Sequence, residues 1–366
     1  RSRFTFLNFL QENGRLDEFI NLGTFTPYRS EISNYLQWVA ASLQKVEIQC
    51  SRRCQSIEPR RGTDGLIHRW LVQLEDGTTV TARDLIVGAG RDPYIPEVFS
   101  DLPSERIIHS TRYVEGIAQL PKGVPYRIVV VGGAQSAAEM FRAVHDDLPD
   151  CQPTIVMRSI GFGNYQTSKF INELFYPSFI NKFFRVEDKY RQQVLDEMRE
   201  TNYAGLAPDL LDELYRMLYL QRLAGKEQSR VITMVDIVGA RIDGNEIVIE
   251  LRDRAGATND TEDLRCDIVL LGTGFDRRQP QLLRSLAKSL GCDSLAVNRS
   301  YRATLTDSSE AGLYLQGINE HTHGIADSLL SVLARRAEDI VGDILYRRGH
   351  PVDGRPKELA SAVNIG

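Results

Sequence analysis

Cysteine is sparse in this chain, tryptophan sparser, and no stretch is apolar enough or charged enough to stand apart. The five cysteines lie at 50, 54, 151, 266 and 292, an odd and scattered set. That pattern excludes a disulfide framework, and with six dispersed histidines it matches no zinc-ligand spacing. No apolar run reaches the length needed to span a bilayer, and no signal-peptide pattern is present, so the sequence reads as cytoplasmic with no membrane partner. The net charge is −5, and the basic pairs (Arg52-Arg53, Arg60-Arg61, Arg277-Arg278, Arg335-Arg336, Arg347-Arg348) are interleaved with acids. That balance gives no reason to expect a nucleic-acid partner. Internal repeats and low-complexity tracts are also missing.

What is there is ordinary for an α/β enzyme: 42% hydrophobic, 25% charged, 28 glycines. At 366 residues the chain predicts two or three domains. The most informative stretch is Arg127–Glu139, RIVVVGGAQSAAE. The β-branched run from Ile128 to Val131 predicts a buried parallel strand, which breaks at Gly132-Gly133-Ala134 and continues as a helix from Gln135. This is the order of a dinucleotide-binding turn, in which small residues bring the backbone up to a pyrophosphate on the helix N-terminus. The fingerprint is imperfect, because Ala134 and Ala137 take the second and third glycine positions. A tight turn with no ligand has the same look. The next strand, Thr154 to Met157, ends at Arg158, where an acidic residue would bind a ribose hydroxyl; arginine suits a 2′-phosphate, and so NADPH. A solvated arginine at a strand end is the plainer alternative.

Around this motif, Ser33–Leu43 has helical spacing and residues 46–82 alternate like antiparallel strands, with turns at Gly62–Gly65 and Asp76-Gly77. Apolar strands end in glycines at Asp84–Gly90 and Cys266–Asp276, and Leu313–Gly317 is a last strand. Residues 165–225 are aromatic-rich and read as helical throughout. Ser328–Leu345 predicts one long helix on Leu329, Leu330, Leu333, Ala337, Ile340 and Ile344. The resulting fold class is α/β: two Rossmann-like dinucleotide-binding domains, for FAD and NADPH, with a helical substrate-binding insertion. The expected boundaries are 1–118 and 301–366 for FAD, 119–164 and 226–300 for NADPH, and 165–225 for the insertion.

Seven segments, in order, carry a family resemblance: FTFLNFLQENGRLDEFINLGTFTPYRSEISNYLQWVA, LIVGAGRDPYIP, VVVGGAQSAAE, SKFINELFYP, TNYAGLAPDLL, LGTGFDRR and HTHGIADSLLSVLARRAEDI. Together the chain resembles the flavin-dependent N-hydroxylating monooxygenases, the L-ornithine and L-lysine side-chain hydroxylases of siderophore biosynthesis. The resemblance implies FAD and NADPH as cofactors, O2 and a small amino acid or diamine as substrates, and a homo-oligomer. It implies a C4a-hydroperoxyflavin that gives an oxygen to a primary amine. The FINE segment looks more like the ornithine enzymes, with lysine or a diamine as the alternative. Two departures stand out. The family's N-terminal FAD glycine motif lies upstream of the segment matching Arg1–Leu10, so the expectation is a piece of a longer polypeptide. Before Phe170, Tyr165–Lys169 replaces the Asp-rich Ser-Pro segment common in the ornithine enzymes.

The resemblance also implies roles. Gly133, Ala134, Gln135 and Ser136 correspond to the NADPH pyrophosphate turn, Arg158 to the 2′-phosphate clamp, and Tyr203 to a neighbour of the adenine. Asn172 and Asn202 correspond to the asparagines that hold the substrate's α-carboxylate and α-amino end, and Ser331 to the serine near the reacting amine. Ser328, Leu329, Leu330 and Cys54 correspond to FAD contacts. Read singly, Asn172 and Asn202 are also ordinary helix caps, and Ser331 could bond its own helix backbone. His321 and His323 invite a metal reading, but no carboxylate or thiol completes a site, and a structural histidine is the expectation. No acid or base identifies itself as a proton acceptor. Two other classes stay open: a flavoprotein reductase or a different monooxygenase, and a non-catalytic nucleotide-binding scaffold. A reductase would be expected to show a redox cysteine pair near the flavin.

Overall fold

The structure is a computed structural model that describes residues 3–350, apart from 25, 167, 202–204, 227, 257–260 and 306–308 and the side chain of Glu200. It divides into a small unit, residues 1–55 with 73–79, and a large one, 56–72 with 80–366.

In the small unit, helices Phe6–Glu12, Leu16–Asn21 and Arg29–Ser42 close over an aromatic cluster of Phe6, Phe9, Phe19, Tyr35 and Trp38. Thr5 caps the first helix by accepting from the Asn8 N–H at 3.1 Å. The third helix starts a turn before the predicted Ser33, because the Glu31 carboxylate accepts from the Tyr28 N–H at 3.4 Å. Residues 46–53 form no strand, contrary to the alternation reading; the first strand is Cys54–Arg61. Val46 and Ile48 are more than 45% exposed, at 55% and 49%, so the alternating pattern there has no core face to bury.

The large unit is organised by a five-stranded parallel sheet in the order Ile107–His109, Ile268–Leu271, Arg127–Val131, Gln152–Val156, Arg230–Ile232. Period-two geometry sends alternate side chains to opposite faces. Ile128, Val130, Ile155 and Leu270 meet Ala137, Ala138, Phe141 and Val144 of helix Gln135–Asp147 on one face. Val129, Val131, Val156, Val269 and Leu271 meet Ile247, Ile249 and Leu251 on the other. That second cover is an antiparallel sheet of Val235–Asp243, Glu246–Asp253 and Thr261–Cys266, whose first turn is made at Gly244. A second parallel pair, Asp84–Val87 with Gly312–Leu315, belongs to the other Rossmann-like part.

Between the fourth and fifth strands of the large sheet the chain is helical: Lys169–Asn172, Pro177–Phe184, Asp188–Met198 and Pro208–Leu223. Pro177 and Pro208 each open a helix at its first position, where a missing N–H costs nothing. The predicted long helix from Ser328 is corrected. Ile325–Ser328 and Leu330–Val332 are short 3-10 turns and the α-helix begins at Leu333. Leu329 is extended (φ −91°, ψ 155°), which breaks the helical path despite the apolar spacing.

Candidate active site

Strand Arg127–Val131 runs into the helix through a turn that only small residues can make. Gly132 has φ +133°, and a Cβ on it would lie 2.5 Å from the Gly272 carbonyl oxygen. Gly272, at the end of the neighbouring strand, sits so close to the helix that a Cβ there would be 2.5 Å from Ala137 Cβ. The close strand-to-helix approach usually given by a third fingerprint glycine is here supplied from the adjacent strand. The helix has Ala134 at its N-cap and no side-chain cap. Its first N–H groups and positive dipole end are therefore suited to a phosphate. This cradle fits the pyrophosphate of a nicotinamide cofactor.

Arg158 follows strand Gln152–Val156 and is exposed. Its neighbour Ser159 lies at the turn: a Cβ on Gly133 would be 3.0 Å from Ser159 Oγ. The structure thus brings the end of this strand to the Gly132–Ser136 turn. Below it, Arg254 pairs with Asp236 at 2.8 and 3.0 Å and donates to the Arg158 carbonyl oxygen at 3.5 Å. Arg254, then the charges of Arg252 and Arg158, hold the Asp236 carboxyl below its ordinary value. Sequence reasoning missed Arg252 and Arg254, which come from a distant strand and carry no local motif.

Gln135 ties this turn to the helical segment. Its Oε1 accepts from the Ala207 N–H at 2.9 Å, and its amide donates to Glu139 at 2.9 Å. Leu206 is fully buried against the same helix, and its N–H donates to the Gly163 carbonyl at 2.8 Å. Asn202 and Tyr203 lie outside the described residues. The chain on either side is fixed: Thr201 is buried, and Gly205 is packed so closely that a Cβ would be 2.2 Å from the Tyr165 nitrogen.

Asn172 ends helix Lys169–Asn172 with its side chain exposed, and its N–H donates to the Ser168 carbonyl at 2.9 Å. Ser168 caps that helix by accepting from the Ile171 N–H at 3.1 Å. The turn that follows, Glu173–Phe175, meets the Ile325–Val332 region. Ser331 Oγ donates to the Phe175 carbonyl at 3.5 Å, and Phe175 packs with Ile180, Ala326, Leu329 and Val332. Ser331 therefore bonds across to another segment rather than to its own helix. Ser328 is exposed, Leu329 half-buried, and Leu330 53% exposed directly after buried Ile325, Ala326 and Asp327. Leu330 is thus an apolar side chain left at the surface beside a buried turn. Cys54, in the small unit, is half-buried, and burial pushes its thiol up.

The glycine-rich ends of the two parallel sheets are laced together. Tyr94 N–H donates to the Gly274 carbonyl at 3.0 Å, Thr273 Oγ1 donates to the Tyr94 carbonyl at 2.5 Å, and Asp276 N–H donates to the Asp92 carbonyl at 2.8 Å. His109 bonds the same Gly274 carbonyl at 2.9 Å, so its Nε2 carries the hydrogen, and burial holds its pKa down. His323 is completely buried between Thr322 Oγ1 (2.8 Å) and the Arg299 carbonyl (3.2 Å), the bonding of a neutral structural imidazole. Among the described residues no group of three or more His, Cys, Asp or Glu could hold a metal ion, and no helix is long and apolar enough to cross a membrane.

Residues 1–277 match the family described as L-lysine 6-monooxygenase/L-ornithine 5-monooxygenase. An L-ornithine N(5)-oxygenase of Arthrobotrys oligospora is 34% identical over 365 residues, 95% of this chain and 75% of that protein. The solved ornithine hydroxylase of Pseudomonas aeruginosa superposes with a TM-score of 0.85 at 32% identity, over 95% of this chain and 83% of the other. An L-lysine 6-monooxygenase of Pseudomonas syringae superposes at 0.82 with 28% identity, over 95% and 83%. Two Rossmann-like sheets, the small-residue turn and these matches lead to one conclusion: the chain belongs to the flavin-dependent N-hydroxylating monooxygenases, the ornithine and lysine N-hydroxylase class of siderophore biosynthesis, and is an NADPH- and O2-dependent enzyme.

Proposed function

We propose that this chain hydroxylates the side-chain primary amine of L-ornithine, with FAD and NADPH as cofactors and O2 as co-substrate. The observation that carries the reading is the Ser331–Phe175 hydrogen bond, which joins the turn after Asn172 to the Ser328–Leu330 turn in a chain of this family. FAD and NADPH supply electrons and oxygen activation; the protein binds, orients and excludes water. On this reading Gly133, Ala134, Gln135 and Ser136 hold the pyrophosphate, Arg158 the 2′-phosphate, and Tyr203 lies beside the adenine. Ser328, Leu329, Leu330 and Cys54 contact FAD. Asn172 and Asn202 hold the two α-groups of the amino acid. The assignment of residues 1–118 and 301–366 to FAD, 119–164 and 226–300 to NADPH, and 165–225 to substrate belongs to the same proposal, with strand Ile107–His109 contributing its edge to the NADPH-side sheet.

An amine of this kind has an ordinary pKa near ~10.4, so at neutral pH it arrives protonated and unreactive. Ser331 gives its hydrogen to the Phe175 carbonyl, so its oxygen is left to accept from an amine N–H. A neutral acceptor orients the amine without strongly favouring its charged form. Ornithine and lysine differ by one methylene, which a pocket alone separates by roughly 1–3 kcal/mol. The FINE segment favours ornithine. The test is NADPH oxidation together with hydroxylamine formation on ornithine, lysine, putrescine and cadaverine. Highest coupled efficiency on ornithine is expected. A preference for lysine or a diamine moves the substrate; no hydroxylamine from any of the four would favour the non-catalytic scaffold.

A further inference from the structure

Three buried polar atoms near the Ile325–Ser328 turn have no hydrogen-bond partner among the described residues: Tyr301 Oη, Asp327 Oδ1 and Arg336 Nε. Tyr301 and Asp327 are completely buried and Arg336 is 6% exposed. Asp327 Oδ2 accepts from the Asn319 N–H at 2.7 Å, while its Oδ1 stands 3.7 Å from Arg336 Nη1, too far for a hydrogen bond. That Nη1 donates instead to the Asp327 carbonyl oxygen, so one arginine grips the turn by its backbone. The Tyr301 hydroxyl lies within the electrostatic reach of both Asp327 and Arg336. Tyr301 is also held in the left-handed region, φ +63°, with its ring stacked on His323 at 4.0 Å. A bulky residue persists in that conformation only where its surroundings fix it, and such strain gathers at functional sites.

We propose that Asp327 is a positioning residue. Its carboxylate, with Arg336 and Tyr301, forms an internal polar socket closed by an ordered water, and that socket sets the turn presenting Ser328, Leu329 and Leu330 to the flavin. One water accepting from Arg336 Nε–H, donating to Asp327 Oδ1 and sharing a third bond with the Tyr301 hydroxyl would satisfy all three atoms. Buried ion pairs of loose geometry are poor sources of stability, and the role proposed for this one is to fix a single arrangement of the turn. Asp327 adjoins Ser328 in sequence, so any change in the grip of Arg336 is passed directly to the flavin-facing residues. The inference rests on the reading that Ser328–Leu330 contact FAD.

The test uses the full chain and two variants, Tyr301→Phe and Asp327→Asn. Tyr301→Phe removes one hydroxyl and no ring contact. A lower thermal midpoint without added FAD is expected, because a hydroxyl bridged by water is lost; a higher midpoint would mean the group was uncompensated and would overturn the socket. Asp327→Asn keeps an acceptor for Asn319 but loses the charge facing Arg336. It is expected to weaken FAD retention about tenfold or more and to shift the flavin absorption band, with NADP+ affinity unchanged. Unaltered FAD retention and spectrum would remove the positioning role. If the parent chain holds FAD but makes no hydroxylamine, the proposed function fails while both variant arms still read the socket. If the parent holds no FAD, the flavin-contact reading fails, the positioning role falls with it, and the Tyr301→Phe midpoint still decides the socket.

Discussion

The five-stranded sheet and the segment from residue 298 to 343 differ in how much polar chemistry they bury. In the sheet both faces are closed by aliphatic side chains, and Phe141, Val130, Ile155 and Leu270 are fully buried. The later segment also buries aliphatic side chains such as Leu313, Ile325, Val332 and Ile340, but packs among them His323, Asp327, Arg336, Asp343 and the two tyrosines 301 and 314, with bonds such as Tyr314 Oη to Asp343 at 2.8 Å and Arg299 to Asp339 at 2.9 Å. The first region gains stability from area removed from water, a non-directional term. The second gains little net free energy from its ion pairs, because their desolvation offsets much of their attraction. A nucleotide cradle built on backbone needs the former; a turn that must hold one orientation needs the latter.

Volume changes should therefore hurt the sheet most. Phe141→Ala is expected to cost about 3–5 kcal/mol, the range for emptying a fully buried aromatic site, measured as a loss of urea midpoint with unchanged slope. Gly272→Ala should cost about 1–3 kcal/mol by overpacking against Ala137. Adding Ala137→Gly should recover part of that loss. No recovery would show that the two positions do not share the close approach.

Acid should act on the second region chiefly through His323, while in the first His109 and His145, whose pKa values burial also lowers, contribute in the same direction. Burial, with the nearby charge of Arg299, lowers the His323 pKa to about 3 from 6.5. Below 6.5 the unfolded chain takes up a proton that the folded chain refuses until about pH 3. Stability from this group is thus complete above 6.5 and falls through that window as the pH drops, by up to about 1.4 kcal/mol per pH unit. Asp327 acts with the opposite sign, because burial raises its carboxyl, so the folded state holds that proton above 3.8 and loses stability as the pH rises through its folded value. His323→Gln should flatten the acid limb between pH 6.5 and 4.5 in urea titrations; an unchanged limb would assign it to other groups.

The same contrast explains what could be read from sequence. The strand at 127–131, its turn and the helical character of 165–225 were legible because apolar periodicity and glycines record local geometry. The helix start at Leu333 was not legible, since the apolar spacing from Leu329 continues through a residue whose backbone is extended. Nor was the role of Gly272: its contact with Ala137 spans a sheet, and GTGF reads only as a strand end. Among the candidate site residues, Gly133–Ser136 could be placed by motif, and Ser331 by resemblance alone. Asp327, Arg336 and Tyr301 gave no signal, because buried polar residues in a coherent network look like surface residues in a string of letters.

The smallest expected effect on folding, and the sharpest on chemistry, belongs to Arg158. Its side chain is exposed and, among the described residues, forms no ion pair, so Arg158→Ala should leave the unfolding midpoint in place. The sheet beneath it is held by aliphatic contacts that the substitution does not touch. Only NADPH carries a 2′-phosphate, and a charge-assisted bond to it is worth roughly 1.5–3 kcal/mol, a tenfold to hundredfold loss in the efficiency of flavin reduction. NADH should be used as before, because the pyrophosphate turn at Gly133–Ser136 is intact. Arg254 can recover part of the loss by exchanging its Asp236 pairing for the phosphate, so Arg158→Ala with Arg254→Ala should lower NADPH use further than either alone. Equal losses with NADPH and NADH would place Arg158 outside the cofactor site. A fall in the unfolding midpoint would instead make it a brace for the strand end, alongside Arg254.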